Sequence, residues 1–361
     1  MSAQEFAGTM PVTPQQRFDL GALERFLAAR IPGLQRPLTV QQFRGGQSNP
    51  TFLLSAADGA QFVLRKQPSG PLLPSAHAVD REFRVIGALH AAGFPVARPV
   101  CLGDDPGILG TLFYVMQYVE GRNFWDPTLP GLTPPERAAL YAEMNRVLVA
   151  LHALDFAAIG LEDFGRPGNY FARQIARWSR QYRASETEPI EAMEQLLEWL
   201  PKHIPASDET TLVHGDYRLD NLIFHPSEPR ILAVVDWELS TLGHPLADFA
   251  YHAMVWRVPG GENRGLGGVD VTALGIPSES QYLEAYCRRT GRAGVAPDVW
   301  EFCMAYNLFR IACIRQGILR RVLDGTAASR HAREAGARAR ETAELAWAQV
   351  QAHFAPQGAA G

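Results

Sequence analysis

A chain of 361 residues that is 47% hydrophobic, 20% charged and 10% aromatic can bury a sizeable core in two or three compact units, which excludes disordered, collagen-like and low-complexity classes. With 34 basic against 38 acidic residues the formal charge is −4, so the chain carries no global polycation to grip nucleic acid. Lys66 and Lys202 are its only lysines, which makes each worth locating. Cys101, Cys287, Cys303 and Cys313 show no CxxC spacing and read as buried thiols in a reducing compartment rather than zinc ligands or disulfides. The first residues lack a basic stretch followed by an apolar one, and no run approaches the ~18 apolar residues of a membrane helix. The expectation is a soluble, cytoplasmic protein with neither membrane nor nucleic-acid partners; its oligomeric state is not legible.

In chain order, Asp19 is placed to cap a short helix carrying Leu20, Leu23, Phe26 and Leu27. Extended pieces follow at 38–43, 51–55 and 61–66, separated by GGQSNP and the turn-like ADGA. A helix opening at Ser75 or Asp80 runs to about Ala92, and an extended segment at 112–119 completes a β-rich first region. After Gly121 the character changes. Thr133 caps a helix reaching Leu154 with Pro134 at its first position, and helices are expected near 170–184 and 189–200. Short strands at 211–213, 222–224 and 231–235 interrupt, before helices near 278–289, 297–323 and 327–352. A β-rich lobe with one helix, then a helical lobe with a small β insert, is an α+β arrangement, divided here at residues 1–119 and 120–361.

The insert carries the chemistry. Residues 214–221 read HGDYRLDN, and DWE at 236–238 ends the apolar strand ILAVV. Phosphoryl transfer needs one carboxylate aimed at the acceptor hydroxyl, and an amide and a second carboxylate aimed at Mg²⁺ on the nucleotide phosphates. Asp216, Asn221 and Asp236 have the H-x-D-x-x-x-x-N then D spacing that places such a trio on a loop and the following hairpin strand. The bland alternative is that Asp216 and Asn221 are turn formers.

Three features of the first lobe agree. The strand FVLRK ends in cations, and alternation puts Arg65 on one face and Lys66 on the other. Valine-x-isoleucine-lysine spacing favours Arg65 as the phosphate contact, with Lys66 the alternative and a solvated strand end open for either. Glu82, on the next helix, can hold that cation in an ion pair, although its charged neighbours Asp80, Arg81 and Arg84 also fit an exposed face. The GGQSN loop, with Gly46, Gln47 and Ser48 at its centre, can bring backbone N–H groups against phosphates, or be an ordinary hairpin.

These motifs, running from Arg44 to about Asp248, resemble the aminoglycoside phosphotransferase family, within the protein-kinase-like fold that includes choline kinases. The resemblance implies a small β-rich nucleotide-binding lobe and a larger helical lobe with the acceptor pocket. It implies ATP and Mg²⁺ as cofactors, Asp216 as the catalytic residue, and Asn221 and Asp236 as metal ligands. It also implies a hinge at Gln117–Val119 that meets adenine, and Asp248 as a brace of the loop. HGD and DWE stand where eukaryotic protein kinases have HRD and DFG, and no A-P-E follows, which favours a small-molecule acceptor. The stretches at 63–86, 113–127 and 234–252 further resemble phosphotransferase domains fused to some acyl-CoA dehydrogenases, a group that includes kinases of 4-hydroxyacyl-CoA thioesters.

The leading expectation is a Mg²⁺/ATP-dependent kinase of a small hydroxylated metabolite, with Glu238 supporting the metal site. An aminoglycoside- or choline-type kinase keeps the chemistry with a cationic acceptor. A nucleotide-binding pseudokinase scaffold is the third reading, disfavoured because it has no need of all three of Asp216, Asn221 and Asp236. Residues 280–345 hold 11 Arg and no Lys against 7 acidic residues, and Tyr306 and Arg310 lie four apart on an apolar helix. That excess predicts an anionic acceptor, with an internal ion pair the alternative for Arg310 itself.

Overall fold

The computed structural model describes residues 8–44, 49–68, 77–261, 264–325 and 332–354. β1 (Thr9–Met10) precedes α1 (Leu20–Ala28), whose Asp19 cap accepts from the Ala22 amide at 2.9 Å. β2 (Thr39–Phe43), β3 (Thr51–Ser55) and β4 (Gln61–Lys66) follow, then α2 (Val79–Ala91), β5 (Pro99–Gly103), α3 (Pro106–Leu109) and β6 (Phe113–Gln117). The strands form one antiparallel sheet in the order β1-β2-β3-β4-β6-β5. β1, β5 and α3 escaped the sequence reading. β1 has only two residues, and β5 opens on a proline with a register shift between Pro99 and Cys101, which breaks the alternation that marks a strand.

One face of this sheet buries Phe52, Leu54, Phe62, Leu64, Phe113 and Val115 against Leu23 and Leu27 of α1. On the other face Arg65 stands directly across from Tyr114, and Phe83 of α2 lies 6.0 Å from the Tyr114 ring. The period of two thus decides which strand residues meet α2 and the helical lobe.

The second lobe begins with α4 (Pro134–His152), closed at its N-terminus by the reciprocal Thr133–Glu136 capping box. α5 (Tyr170–Ser185) and α6 (Glu191–Trp199) lead to β7 (Thr211–Val213), β8 (Leu222–Phe224), β9 (Ile231–Val234) and β10 (Thr241–Gly243). β8 pairs with β9 and β7 with β10, so the loop between β7 and β8 faces the turn after β9. α7 (Pro245–Ala253), α8 (Val271–Leu274), α9 (Glu279–Thr290) and α10 (Pro297–Leu323) complete the core, with α10 buried along most of its first five turns. The final helix, expected as one stretch, is two: α11 (Ala332–Ala337) and α12 (Ala339–Phe354). At Gly336 a Cβ would stand 2.8 Å from Leu319 backbone atoms, so α11 lies directly on α10 where a side chain would hold it off. No helix among the described residues is long and apolar enough to cross a membrane.

Candidate active site

The loop from His214 to Asn221 is held from beneath by α7. Asp248, in the first turn of that helix, accepts from the His214 and Gly215 amides, both at 2.8 Å, and lies 3.2 Å from His152 Nε2. Burial alone would raise the Asp248 carboxyl, but His152 and the loop amides outweigh it and keep the group below its ordinary range. Gly215 has φ +81°, and a Cβ there would lie 2.6 Å from the Leu239 carbonyl oxygen, so glycine alone fits. His214 links the loop to β9. Its Nδ1 accepts from the Asp216 amide at 3.1 Å, which leaves Nε2 to donate to the Val235 carbonyl at 3.0 Å.

This framework brings Asp216, Asn221 and Asp236 together. Asn221 Nδ2 donates to the Asp216 carbonyl at 2.9 Å and to its Oδ2 at 3.1 Å, while the Val235 amide donates to the Asn221 carbonyl at 2.9 Å. Asp236 therefore enters beside the loop, in the left-handed backbone region at φ +67°, where the strand turns into Trp237. Asp216 is half-buried, and its desolvation raises the carboxyl above its ordinary value against the pull of Arg218 and the Tyr251 hydroxyl.

Arg65 reaches the same place from the other lobe. Its guanidinium lies 2.9 Å from Glu82, 2.7 Å from Asp236 and 3.2 Å from Glu238. Burial would lower its pKa, but Glu82 and Asp236 outweigh that and hold it fully charged. Glu82 is 1% exposed and accepts from the Tyr114 hydroxyl and from Asn49 Nδ2, both at 3.0 Å. Asn49 also donates to Glu238 at 3.4 Å. The Glu82 ion pair anticipated from the helix after β4 is present, and Glu238 stands in the same network. Lys66 is 1% exposed on the opposite face, makes no ion pair among the described residues, and has its pKa lowered by burial.

Gly46, Gln47 and Ser48 lie outside the described residues. At the interlobe segment the Gln117 and Tyr118 amides are spent on the Arg98 and Gln61 carbonyls, whereas Val119 makes no backbone hydrogen bond with the described residues.

Tyr306 and Arg310, expected either to meet the substrate or to support the site from behind, do not line the cavity beside the loop. Both are buried, Tyr306 fully enclosed with its ring 5.2 Å from that of Phe171, and Arg310, 5% exposed, against the 214–221 loop. Arg310 donates to the Gly215 carbonyl at 2.6 Å and has no carboxylate within ion-pair distance among the described residues, so the alternative of an internal ion pair fails as well. Beside the loop a cavity of about 410 Å³ opens, and α10 lines it with Leu308, Ile311, Ile314, Arg315 and Ile318. Counting by turns from Leu308 selects this stripe, which lies round the helix from Tyr306 and Arg310. Trp125, Tyr141, Tyr251 and Leu345 extend the apolar wall, and Arg218, Arg264 and Arg315 stand in it against two acidic residues, Asp220 and Glu341. Arg218 is held by Asp220 through two 2.5 Å hydrogen bonds. Asn49, His214, Tyr251 and Arg315 were not singled out from sequence; the H of HGD was the one available signal.

The chain as a whole has relatives among known proteins. A solved structure from Ralstonia eutropha, provisionally assigned as an aminoglycoside phosphotransferase, is 51% identical and superposes with a TM-score of 0.84 over 93% of this chain and 99% of that one. Mouse acyl-CoA dehydrogenase family member 10 is 48% identical over 342 residues, which are 94% of this chain and 32% of that protein. This chain thus spans about a third of that relative's length. Spectinomycin phosphotransferase, solved with ADP and spectinomycin, shares the fold at 15% identity, with a TM-score of 0.61 over 93% of this chain and all of that one. The model of the phosphotransferase enzyme family matches residues 39–301, which include Arg65, Glu82, Asp216, Asn221, Asp236 and Glu238 but not the cavity residues of α10 and α12 or Tyr306 and Arg310, and the chain belongs to that family.

Proposed function

We propose that this protein is a Mg²⁺/ATP-dependent kinase that phosphorylates a hydroxyl of an anionic small molecule with an apolar body, a 4-hydroxyacyl-CoA being the first candidate. The observation that carries the reading is the convergence of Asp216, Asn221 and Asp236 beside an apolar cavity in which arginines outnumber carboxylates. In this reading Asp216 orients the acceptor hydroxyl and takes its proton as the new P–O bond forms.

The residues fit a hard cation. Asn221 turns its NH₂ toward Asp216, which leaves its carbonyl oxygen for other duty, and Asp236 and Glu238 add carboxylate oxygens. Asn221 and Asp236 would hold Mg²⁺ with Glu238 behind them, and the ion would neutralise charge on the transferring group. Arg65, now paired with Asp236 and Glu238, is the cation within reach of inner phosphates, and Glu82 keeps it in place. Val119 would meet adenine through its backbone. Lys66, on the wrong face, has no part.

The acceptor enters through the cavity. Its aliphatic and aromatic wall suits an acyl chain, while Arg218, Arg264 and Arg315 suit phosphate or carboxylate. An aminoglycoside or choline would need the opposite balance of charge. The test is a matched panel of 4-hydroxyacyl-CoA, a free hydroxy acid, choline and kanamycin with labelled ATP, products identified by mass. Turnover of an anionic acceptor is expected; efficient turnover of either cation, with no anion accepted, overturns the reading.

A further inference from the structure

The two oxygens of Asp216 are held from two different elements. Oδ2 accepts from Asn221 within the loop, and Oδ1 accepts from the hydroxyl of Tyr251 on α7. Tyr251 is 5% exposed, and it is itself fixed from behind: the Arg310 guanidinium carbon lies 4.9 Å from its ring centroid. The same guanidinium donates to the carbonyl of Gly215, the residue immediately before Asp216, and packs 5.6 Å from the Trp178 ring. A buried arginine with no carboxylate partner is costly unless aromatic faces and carbonyl oxygens replace its hydration, and here they do. Arg310 therefore acts on the loop twice, through the backbone ahead of Asp216 and through Tyr251 on the carboxylate.

Asn221 alone leaves Oδ1 without a donor from outside the loop. Tyr251 supplies it from a rigid helix whose other end, through Asp248, already holds the loop amides. We propose that Arg310 and Tyr251 form a positioning pair that fixes the rotamer of the Asp216 carboxylate for phosphoryl transfer. This inference rests on the kinase reading above. Neither residue touches nucleotide in this scheme; misplacing a reacting group by about 1 Å can cost roughly a hundredfold in rate, so the pair acts on turnover rather than on nucleotide affinity.

The test is steady-state kinetics with the accepted acceptor, calorimetry with Mg·ATP, and urea unfolding. Tyr251→Phe removes one oxygen and should lower kcat roughly tenfold or more while KM for ATP and Mg·ATP affinity stay within about twofold. Arg310→Met should do the same, and the double variant should lose less than the product of the two single losses. If Arg310→Met does not fold, Tyr251→Phe carries the test alone. In unfolding, Tyr251→Phe should lower the urea midpoint of the parent protein but not that of Asp216→Ala, where the hydroxyl has already lost its acceptor. Equal losses in both backgrounds overturn the contact. Unequal losses with kcat within twofold of the parent overturn the positioning role. Absence of transfer to every acceptor overturns the kinase reading and the role together, and an intact unfolding coupling then places the failure in that reading and not in the contact.

Discussion

Two buried arginines flank the loop that carries Asp216, and they are neutralised in different ways. Arg65, on the sheet side, sits among Glu82, Asp236 and Glu238. Arg310, on the helical side, sits among Tyr251, Trp178 and a backbone carbonyl. The difference teaches what each can do. Carboxylate pairs can be exchanged for phosphate oxygens or a metal ion, because the partners are charged and Asp236 and Glu238 remain part-exposed. Ring faces and a carbonyl offer no such exchange, so Arg310 belongs to the scaffold. Glu82, 1% exposed and hydrogen-bonded by Tyr114 and Asn49, is the fixed member of the first cluster.

The group between the two arginines gives the largest expected effect. Asp216→Asn should lower kcat by roughly 10²–10⁴-fold while Mg·ATP binding is retained, because a positioned acid–base group is lost and no charge on the phosphate side is. Retention of most of the parent rate would sink the assignment. Arg65→Ala comes next. It leaves Glu82 buried without its cation, which costs about 3 kcal/mol in urea unfolding, and it should raise KM for ATP. Lys66→Ala should be milder on KM; the reverse order would mean that the sheet-side cation has been misidentified.

Asp236→Ala sharpens the contrast, since it removes the exchangeable partner. Mg²⁺-dependent nucleotide affinity should fall about tenfold or more by calorimetry, whereas Arg65 keeps its Glu82 contact and stability changes little. An unchanged titration contradicts the metal role. The smallest effect, near neutral pH, lies on the helical side. Burial pushes His244 and His252 down to about 4, so both stay neutral in the folded protein while the unfolded chain takes up protons near pH 6.5. Their contribution is present above about pH 6.5 and is lost as pH falls toward 4. Urea midpoints should decline over that window and decline less in His252→Gln; equal slopes for the two proteins would contradict the assignment to His252.

Much of this was legible in one dimension. The H-x-D-x-x-x-x-N spacing and the strand ending in Asp236 are short-range facts, because a loop and a hairpin of fixed length can bring those residues back to one place in few ways. The placing of Arg65 and Lys66 on opposite faces followed from the period of two along β4, and the ion pair of Arg65 with Glu82 from the helix that comes next. The Asp19 and Thr133 caps, the start and end of α10, and the change from sheet to helices are local chemistry in the same sense.

What tertiary structure alone decided concerns residues far apart in the chain with no motif to mark them. Tyr251 meets Asp216 across 35 residues and Arg310 meets Gly215 across 95, through packing of α7 and α10 that no local pattern encodes. An apolar helix such as α10 offers several stripes, and only its neighbours select Ile311 and Arg315 for the cavity and turn Tyr306 and Arg310 inward. Composition located the arginine excess in this part of the chain, but charge counted along a sequence has no direction. Burial and the facing side chains give it one, and they turn Arg310 away from the cavity and set it beneath the loop.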